Sequence, residues 1–351
     1  MPQTSLRRRA LTYCLLTLTG LLYVPLAIAD LDEDCVLREA RSGEAAMTLA
    51  ELRSKCHATP AAAGGALAGH DAKPVDPENA GSSPVEERLT IEQELVARPF
   101  TIMAHKPNYF LAAAYNERGW PSDPFQQAGG PEDYRNDDIE AQFEISLKVP
   151  LAVDLFGGRM DIFGAYTNRS FWQMYNADFS RPFRETNHEP ELWGQFPNDW
   201  NIWGFTNSVN RIGIVHQSNG RGGTLSRGWN RVYANFIFEK GRWAISLKPW
   251  IRLPEDADKD DNPDITDYLG HGELRLLYRR QGHVFGLMTR NQIESGFDEG
   301  ALELSWSFPV FDYPFLKGYI QYFHGYGESL IDYDRRVNRI GIGIALTDWL
   351  D

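Results

Sequence analysis

His216, Ser218 and Asn230 have the side-chain types of a hydrolytic site. They lie in the stretch IVHQSNGRGGTLSRGWNRVYANFIFEK, residues 214–240. A serine hydroxyl can attack an acyl carbon if an imidazole takes its proton and later returns it to the leaving group. An amide such as that of Asn230 can accept a bond from the other imidazole nitrogen and fix the tautomer. The surroundings are apolar: Ile212, Ile214, Val232, Phe236 and Phe238 flank the three polar residues. Ile212 and Ile214 share the parity of His216 and Ser218, while Val232, Ala234, Phe236 and Phe238 share that of Asn230. On a strand, residues of one parity share a face. The three candidates therefore project from the apolar side of a hairpin. Beside lipid an amide is cheaper than an ionised acid.

The elements that must hold these residues are strands. From about residue 100 the pattern has period two. In 139–149, Ile139, Ala141, Phe143, Ile145, Leu147 and Val149 share one face, and Glu140, Gln142, Glu144, Ser146 and Lys148 the other. Similar alternation runs through 243–248 and 340–346. Twelve segments of this kind fall near 106–116, 139–151, 160–175, 188–196, 207–218, 227–239, 243–254, 267–280, 283–292, 300–310, 315–328 and 336–349. Many are long enough to cross a bilayer when tilted. Long polar loops at 117–138, 176–187 and 219–226 contrast with short turns at Lys240-Gly241 and Gln281-Gly282. The expectation is an all-β transmembrane antiparallel β-barrel of about twelve strands, with a short N-terminal periplasmic extension. A soluble sandwich or lipocalin-like barrel would turn its apolar face inward. The polar second face, with Glu144, Lys148, Arg231 and Arg275, favours the membrane form. If the chain enters from the periplasm, His216 and Ser218 lie at the outer end of the fifth strand, and the site is at the outer-leaflet rim.

The start of the 351-residue chain indicates export. Arg7-Arg8-Arg9, the apolar run Leu11 to Ile28 and the small-x-small site Ala27-Ile28-Ala29 before Asp30 read as a signal peptide, residues 1–29. No other segment has the apolar length of a membrane-spanning helix. Ten Trp suit aromatic girdles, and a net charge of −13 argues against nucleic acid. Cys14 falls in the signal; Cys35 and Cys56 remain, and an exported pair reads as a disulfide. Residues 30–56 read as a small helical element, with a capping-box pattern at Thr48-x-x-Glu51. A linker follows over 57–99, rich in Ala, Gly, Pro and Ser up to 84, then the barrel over 100–351. The chain ends Trp349-Leu350-Asp351 rather than on the aromatic residue usual in outer-membrane barrels.

The stretch His216 to Asn230 resembles the active-site signature of the bacterial outer membrane phospholipase A family. SFWQ at 170–173, PFRETNHEP at 182–190, KPW at 248–250, DDNPDIT at 260–266 and GYGESLIDY at 325–333 resemble further family blocks in order. The resemblance covers roughly residues 100–351. It implies a twelve-stranded, calcium-dependent barrel of the Gram-negative outer membrane. Such a barrel hydrolyses acyl esters of phospholipids and lysophospholipids (A1/A2 type) as a homodimer. It implies Ser218 as nucleophile, His216 as base, Asn230 as its orienting partner and the Gly220 N–H as oxyanion donor. Calcium would be held by the Arg221 carbonyl and the Ser226 hydroxyl, with the Ser180 carbonyl of the partner subunit. Asn168 falls where a polar residue bridges the dimer. Asp261 matches one acid of a second, monomer-state calcium site, but Gly222-Gly223 lack the other. Asp260, Asp261 and Asp264 otherwise read as a solvated turn, Arg184 and Glu185 as a loop ion pair, and GYGESLIDY as a conformational segment.

Overall fold

The computed structural model describes residues 83–291, 298–311 and 313–351. The chain divides into two units, Met1–Pro74 and Val75–Asp351, and the described residues belong to the second. The expected signal peptide, the 30–56 element with Cys35 and Cys56, and the linker up to residue 82 lie outside them.

A helix, α1 (Pro84–Val96), precedes twelve long strands. These are β1 (Asn108–Asn116), β2 (Ile139–Asp154), β3 (Met160–Trp172), β4 (Phe183–Ile202), β5 (Phe205–Ser218) and β6 (Gly228–Lys240), then β7 (Trp243–Leu253), β8 (Gly272–Arg280), β9 (His283–Asn291), β10 (Gly300–Val310), β11 (Tyr313–Gly325) and β12 (Val337–Thr347). Each pairs antiparallel with the next, and β1 pairs with both β2 and β12, so the sheet closes into a barrel. A two-residue strand, Met103–Ala104, adds to β2. Closure leaves no long edge with unpaired backbone groups, which is the condition for strands to cross lipid.

The barrel is inverted relative to a soluble protein. On β2, Ile145 is 49% exposed and Lys148 1%. On β12, Ile340, Ile342, Ile344 and Leu346 face outward, with Ile342 57% exposed. Inside, Gln142, Ser146, Arg184 and Arg339 are fully buried. The alternation read from 139–149 therefore has its apolar side out, as expected for a membrane barrel. The lumen is lined by ion pairs. Arg184 meets Glu140 at 2.9 Å and Asp332 at 2.9 Å, Arg339 pairs with Glu328, and Lys106 with Glu189 and Glu191.

Connections alternate in length. At one end Trp203-Gly204 and Gln281-Gly282 make two-residue turns with positive φ at both positions, the type I′ geometry that matches strand twist. At the other end the loops are long: 117–138, 173–182, 219–227, 254–271 and 326–336.

Three expectations need correction. The linker assigned to 57–99 contains α1: Ser83 accepts a hydrogen bond from the Glu86 N–H at 3.1 Å, and Pro84 occupies the first turn, where its missing N–H is harmless. The loop assigned to 176–187 ends early, because β4 begins at Phe183. The strand assigned to 267–280 begins at Gly272, because Ile265–Leu269 form a helical turn that Gly270 ends at φ 67°.

Candidate active site

The site is built on the hairpin of β5 and β6 at the long-loop end. The ladder places His216 directly opposite Asn230 and Ser218 opposite Gly228. His216 Nδ1 lies 2.9 Å from Asn230 Oδ1. A Cβ built on Gly228 would meet Ser218 Cβ at 3.4 Å and His216 Cε1 at 3.9 Å, so the bare glycine is a floor beneath both side chains. His216 is exposed on the outer surface, and Ser218 and Asn230 are half-buried there, level with the exposed Ile212, Ile214 and Val232. The contact from Ser218 Oγ to His216 Nε2 is not among the hydrogen bonds formed. Such contacts commonly tighten only with substrate in place.

The loop after β5 is held from within by Asn219, which is buried. Its Oδ1 accepts from the Arg227 N–H at 3.0 Å and the Arg221 N–H at 3.3 Å, and its Nδ2 donates to the Leu225 carbonyl at 2.8 Å. The Arg221 side chain donates to the Arg184 carbonyl at 2.8 Å and pairs with Glu185 at 3.3 Å. Arg184 and Glu185 thus pair with other residues and not with each other. Gly220, at φ 65°, takes the left-handed conformation that glycine adopts freely, and its N–H donates to no described partner.

On the next loop, Asp261 accepts a hydrogen bond from the Ser226 hydroxyl, and Asn262 Oδ1 accepts from the Gly228 N–H at 2.9 Å. Asp260 binds Arg252 at 2.6 Å, and Asp264 accepts from the Tyr333 hydroxyl. The 260–264 segment thus makes several contacts through its side chains, while Asp261 and Pro263 remain exposed. GYGESLIDY folds into the long-loop mouth, where Ser329, Leu330, Ile331 and Asp332 are buried. Asp332 has its carboxyl pushed up by burial, against the pull of Arg184.

Among the described residues no three His, Cys, Asp or Glu side chains cluster as a metal site. The calcium ligands expected are of another kind. Arg221 and Ser226 lie in one loop, and the Ser226 hydroxyl touches the exposed Asp261 carboxylate. Such an oxygen-only donor set with one carboxylate fits calcium. Ser180 lies in loop 173–182, next to Arg181, and both have positive φ, at 61° and 54°. Backbone strain of this kind gathers at functional segments.

The sequence missed three groups around the site. His188 on β4 stands opposite Ser218 in the ladder. Its Nδ1 lies 2.6 Å from the Tyr166 hydroxyl and 3.4 Å from Asn168 Nδ2, whose Oδ1 accepts from Ser170 at 3.0 Å. Asn168 therefore belongs to a polar cluster beside the serine. Glu255 meets Asn230, and Asn219 braces the loop. His188 had a signal in its parity with Leu192, which is exposed on the same face.

A closed barrel with an apolar exterior and a polar lumen is a membrane barrel of the outer-membrane type, and it carries Ser218, His216 and Asn230 together on its outer face. Residues 85–346 match the family model described as Phospholipase A1. The phospholipase A1 of Klebsiella pneumoniae is 35% identical over 254 residues, covering 71% of this chain and 84% of that protein. The crystal structure of the Salmonella typhi outer membrane phospholipase, a dimer with bound calcium, superposes with a TM-score of 0.66 at 33% identity, covering 73% of this chain and 96% of that one. An active-site Asn-to-Ala mutant of the Escherichia coli outer membrane phospholipase A gives 0.65 at 33% identity, covering 73% and 98%. The chain belongs to the phospholipase A1 family of outer-membrane β-barrels.

Proposed function

We propose that this protein is a calcium-dependent outer-membrane phospholipase, hydrolysing acyl esters of phospholipids and lysophospholipids with Ser218, His216 and Asn230. The observation that carries the reading is the 2.9 Å contact between His216 Nδ1 and Asn230 Oδ1 on the lipid side of the barrel. A pore has no use for an oriented imidazole there.

Asn230 Oδ1 accepts from His216 Nδ1–H, which leaves Nε2 free as the base. Ser218 Oγ attacks the acyl carbonyl while His216 Nε2 takes its proton. The Gly220 N–H donates to the developing oxyanion. His216 then gives the proton to the departing glycerol oxygen, leaving an acyl-serine. Water activated by the same imidazole releases the fatty acid and restores Ser218. Calcium, held by the Arg221 carbonyl, the Ser226 hydroxyl and the carbonyl of Ser180 of the partner subunit, would supply positive charge beside the oxyanion. Asp261, in contact with Ser226, is the acid available to a monomer-state site.

The long-loop end faces outward, so the site meets the outer leaflet, and the N-terminal extension lies in the periplasm after removal of the signal peptide. The active form is a homodimer with Asn168 at its interface.

Ser218→Ala should fold as a barrel and lose at least about 10³-fold in fatty-acid release from phospholipid in detergent. A chelator should abolish the activity of the unaltered protein. A folded Ser218→Ala barrel with full activity would falsify the reading.

A further inference from the structure

The Asn230 amide has two ends, and both are engaged. Oδ1 faces His216 Nδ1, and Nδ2 donates to Glu255 Oε1 at 3.1 Å. Glu255 lies two residues beyond Leu253, the ladder partner of Asn230, and so keeps the outward parity. Its approach is fixed on both sides. Pro254 fixes φ just before it and biases Leu253 to the extended region. Arg252, on the opposite parity, is anchored by Asp260 at 2.6 Å and the Pro263 carbonyl at 2.9 Å.

An asparagine between two partners can sit either way round. In the observed orientation Oδ1 accepts from His216, so Nδ1 must carry the proton and Nε2 keeps its lone pair for the serine. In the flipped orientation Nδ2 would donate to Nδ1. That selects the other tautomer, with a proton on Nε2, which cannot act as base. Glu255 separates these two states. A carboxylate can only accept, so it favours Nδ2 on its side and repels Oδ1. The charge also sits where it is affordable in physical terms: at the start of a polar loop, half-buried, one neutral amide away from the lipid-facing imidazole.

We propose that Glu255 is a positioning residue that fixes the polarity of the Ser218–His216–Asn230 chain by holding the Asn230 amide in one orientation. The proposal rests on the phospholipase reading above.

The test uses the full-length protein folded in detergent, with phosphatidylcholine and calcium. Each variant is checked as a folded barrel by its heat-modifiable electrophoretic mobility. Glu255→Ala should lower kcat by about 10-fold with KM nearly unchanged, since orientation and not substrate contact is lost. Glu255→Gln should also lose activity, toward the level of Glu255→Ala, because its Nε2 can donate to a flipped Asn230 Oδ1 and the orientation is no longer selected. Asn230→Asp sets a second carboxylate against Glu255 and should be impaired more than Glu255→Ala. The double variant Asn230→Asp, Glu255→Gln should recover about 10-fold over Asn230→Asp alone, because the glutamine Nε2 can donate to the new carboxylate. Wild-type turnover in Glu255→Ala, or no recovery in the double variant, overturns the positioning role. If Asn230→Asp does not fold, the Ala and Gln variants at 255 still decide. Ser218→Ala is run beside them: its retention of activity would overturn the phospholipase reading itself, whereas its inactivity together with an unaffected Glu255→Ala would overturn only the role of Glu255.

Discussion

An amide in the orienting position changes what removal of that residue should do. In the proposed mechanism Asn230 neither attacks nor transfers a proton; it holds one tautomer of His216 against the other. Asn230→Ala should therefore lower kcat by roughly 10- to 100-fold, less than Ser218→Ala, with KM close to that of the unaltered protein. Steady-state kinetics of both variants in one detergent system check this, and equal losses would point to a collapse of the hairpin. The three residues were legible because strand parity alone puts His216, Ser218 and Asn230 on one face. Glu255 was not, since its meeting with Asn230 depends on the β6–β7 register and on a two-residue step past the strand end. His188 was hidden for a similar reason. It lies at the start of the strand expected over 188–196, with the outward parity of Leu192, but its place opposite Ser218 depends on the β4–β5 register, which the sequence does not give.

At the scale of elements, α1 is the part that composition concealed. Val85 packs with Ala244, Leu277, Val284 and Leu350, and Leu89 lies against this group. Its other contacts are charged. Arg88 donates to the carbonyls of Trp349 at 2.6 Å, Ala104 at 3.1 Å and His105 at 3.2 Å, and Glu92 pairs with Lys148 at 2.6 Å. The helix thus seats in the short-turn mouth, where the lumen is polar, and a helix docking on a polar surface shows no broad apolar stripe. The C-terminal residues complete the seat: Leu350 is buried beside Val85, and Lys317 binds Asp348 and Asp351. Glu92 gives this seat a pH dependence. Burial pushes its carboxyl up, but Lys148, Arg88 and Arg211 outweigh that and hold it at about 2, below the ordinary 4.5. A carboxyl lowered in the folded state contributes stability that is fully present above about 4.5 and is lost as pH falls toward 2. Hydrogen exchange of α1 should be slow at pH 7 and quicken progressively below about 4.5, after correction for the intrinsic rate. Glu92→Gln leaves Lys148 buried without its charge partner and should weaken docking by about 3 kcal/mol at neutral pH, with no further loss across the acid window. Unchanged protection in this variant would show that the apolar contacts of Val85 and Leu89 suffice.

For the whole molecule, the inversion of polarity was legible from alternation, because period two records both faces of a strand. Which loops meet over the mouth was not, because it depends on curvature and closure: the burial of 329–333 goes with the ion pair of Asp332 to Arg184 on the distant β4 and that of Glu328 to Arg339 at the start of β12. The same closure leaves a problem of control. A lipase with its base and nucleophile turned permanently to lipid would digest its own membrane. In the proposed mechanism, completion of the calcium site by Ser180 of the partner subunit would offer a switch, since Ser180 lies in a different loop from Arg221 and Ser226. Apolar outer faces of two barrels associate only weakly in lipid, which is as apolar as they are, and the polar cluster of Asn168, Tyr166 and His188 beside Ser218 can add directional contacts. Because calcium then binds the dimer better than the monomer, it must also promote dimerisation by mass action. Cross-linking yield and fatty-acid release, measured together over a calcium titration, should rise in parallel. Asn168→Leu should shift both curves to higher calcium while leaving the maximum turnover of the cross-linked dimer near that of the unaltered protein. Full calcium-dependent turnover by a protein that remains monomeric throughout would remove the switch and leave the assignment of Ser218, His216 and Asn230 intact.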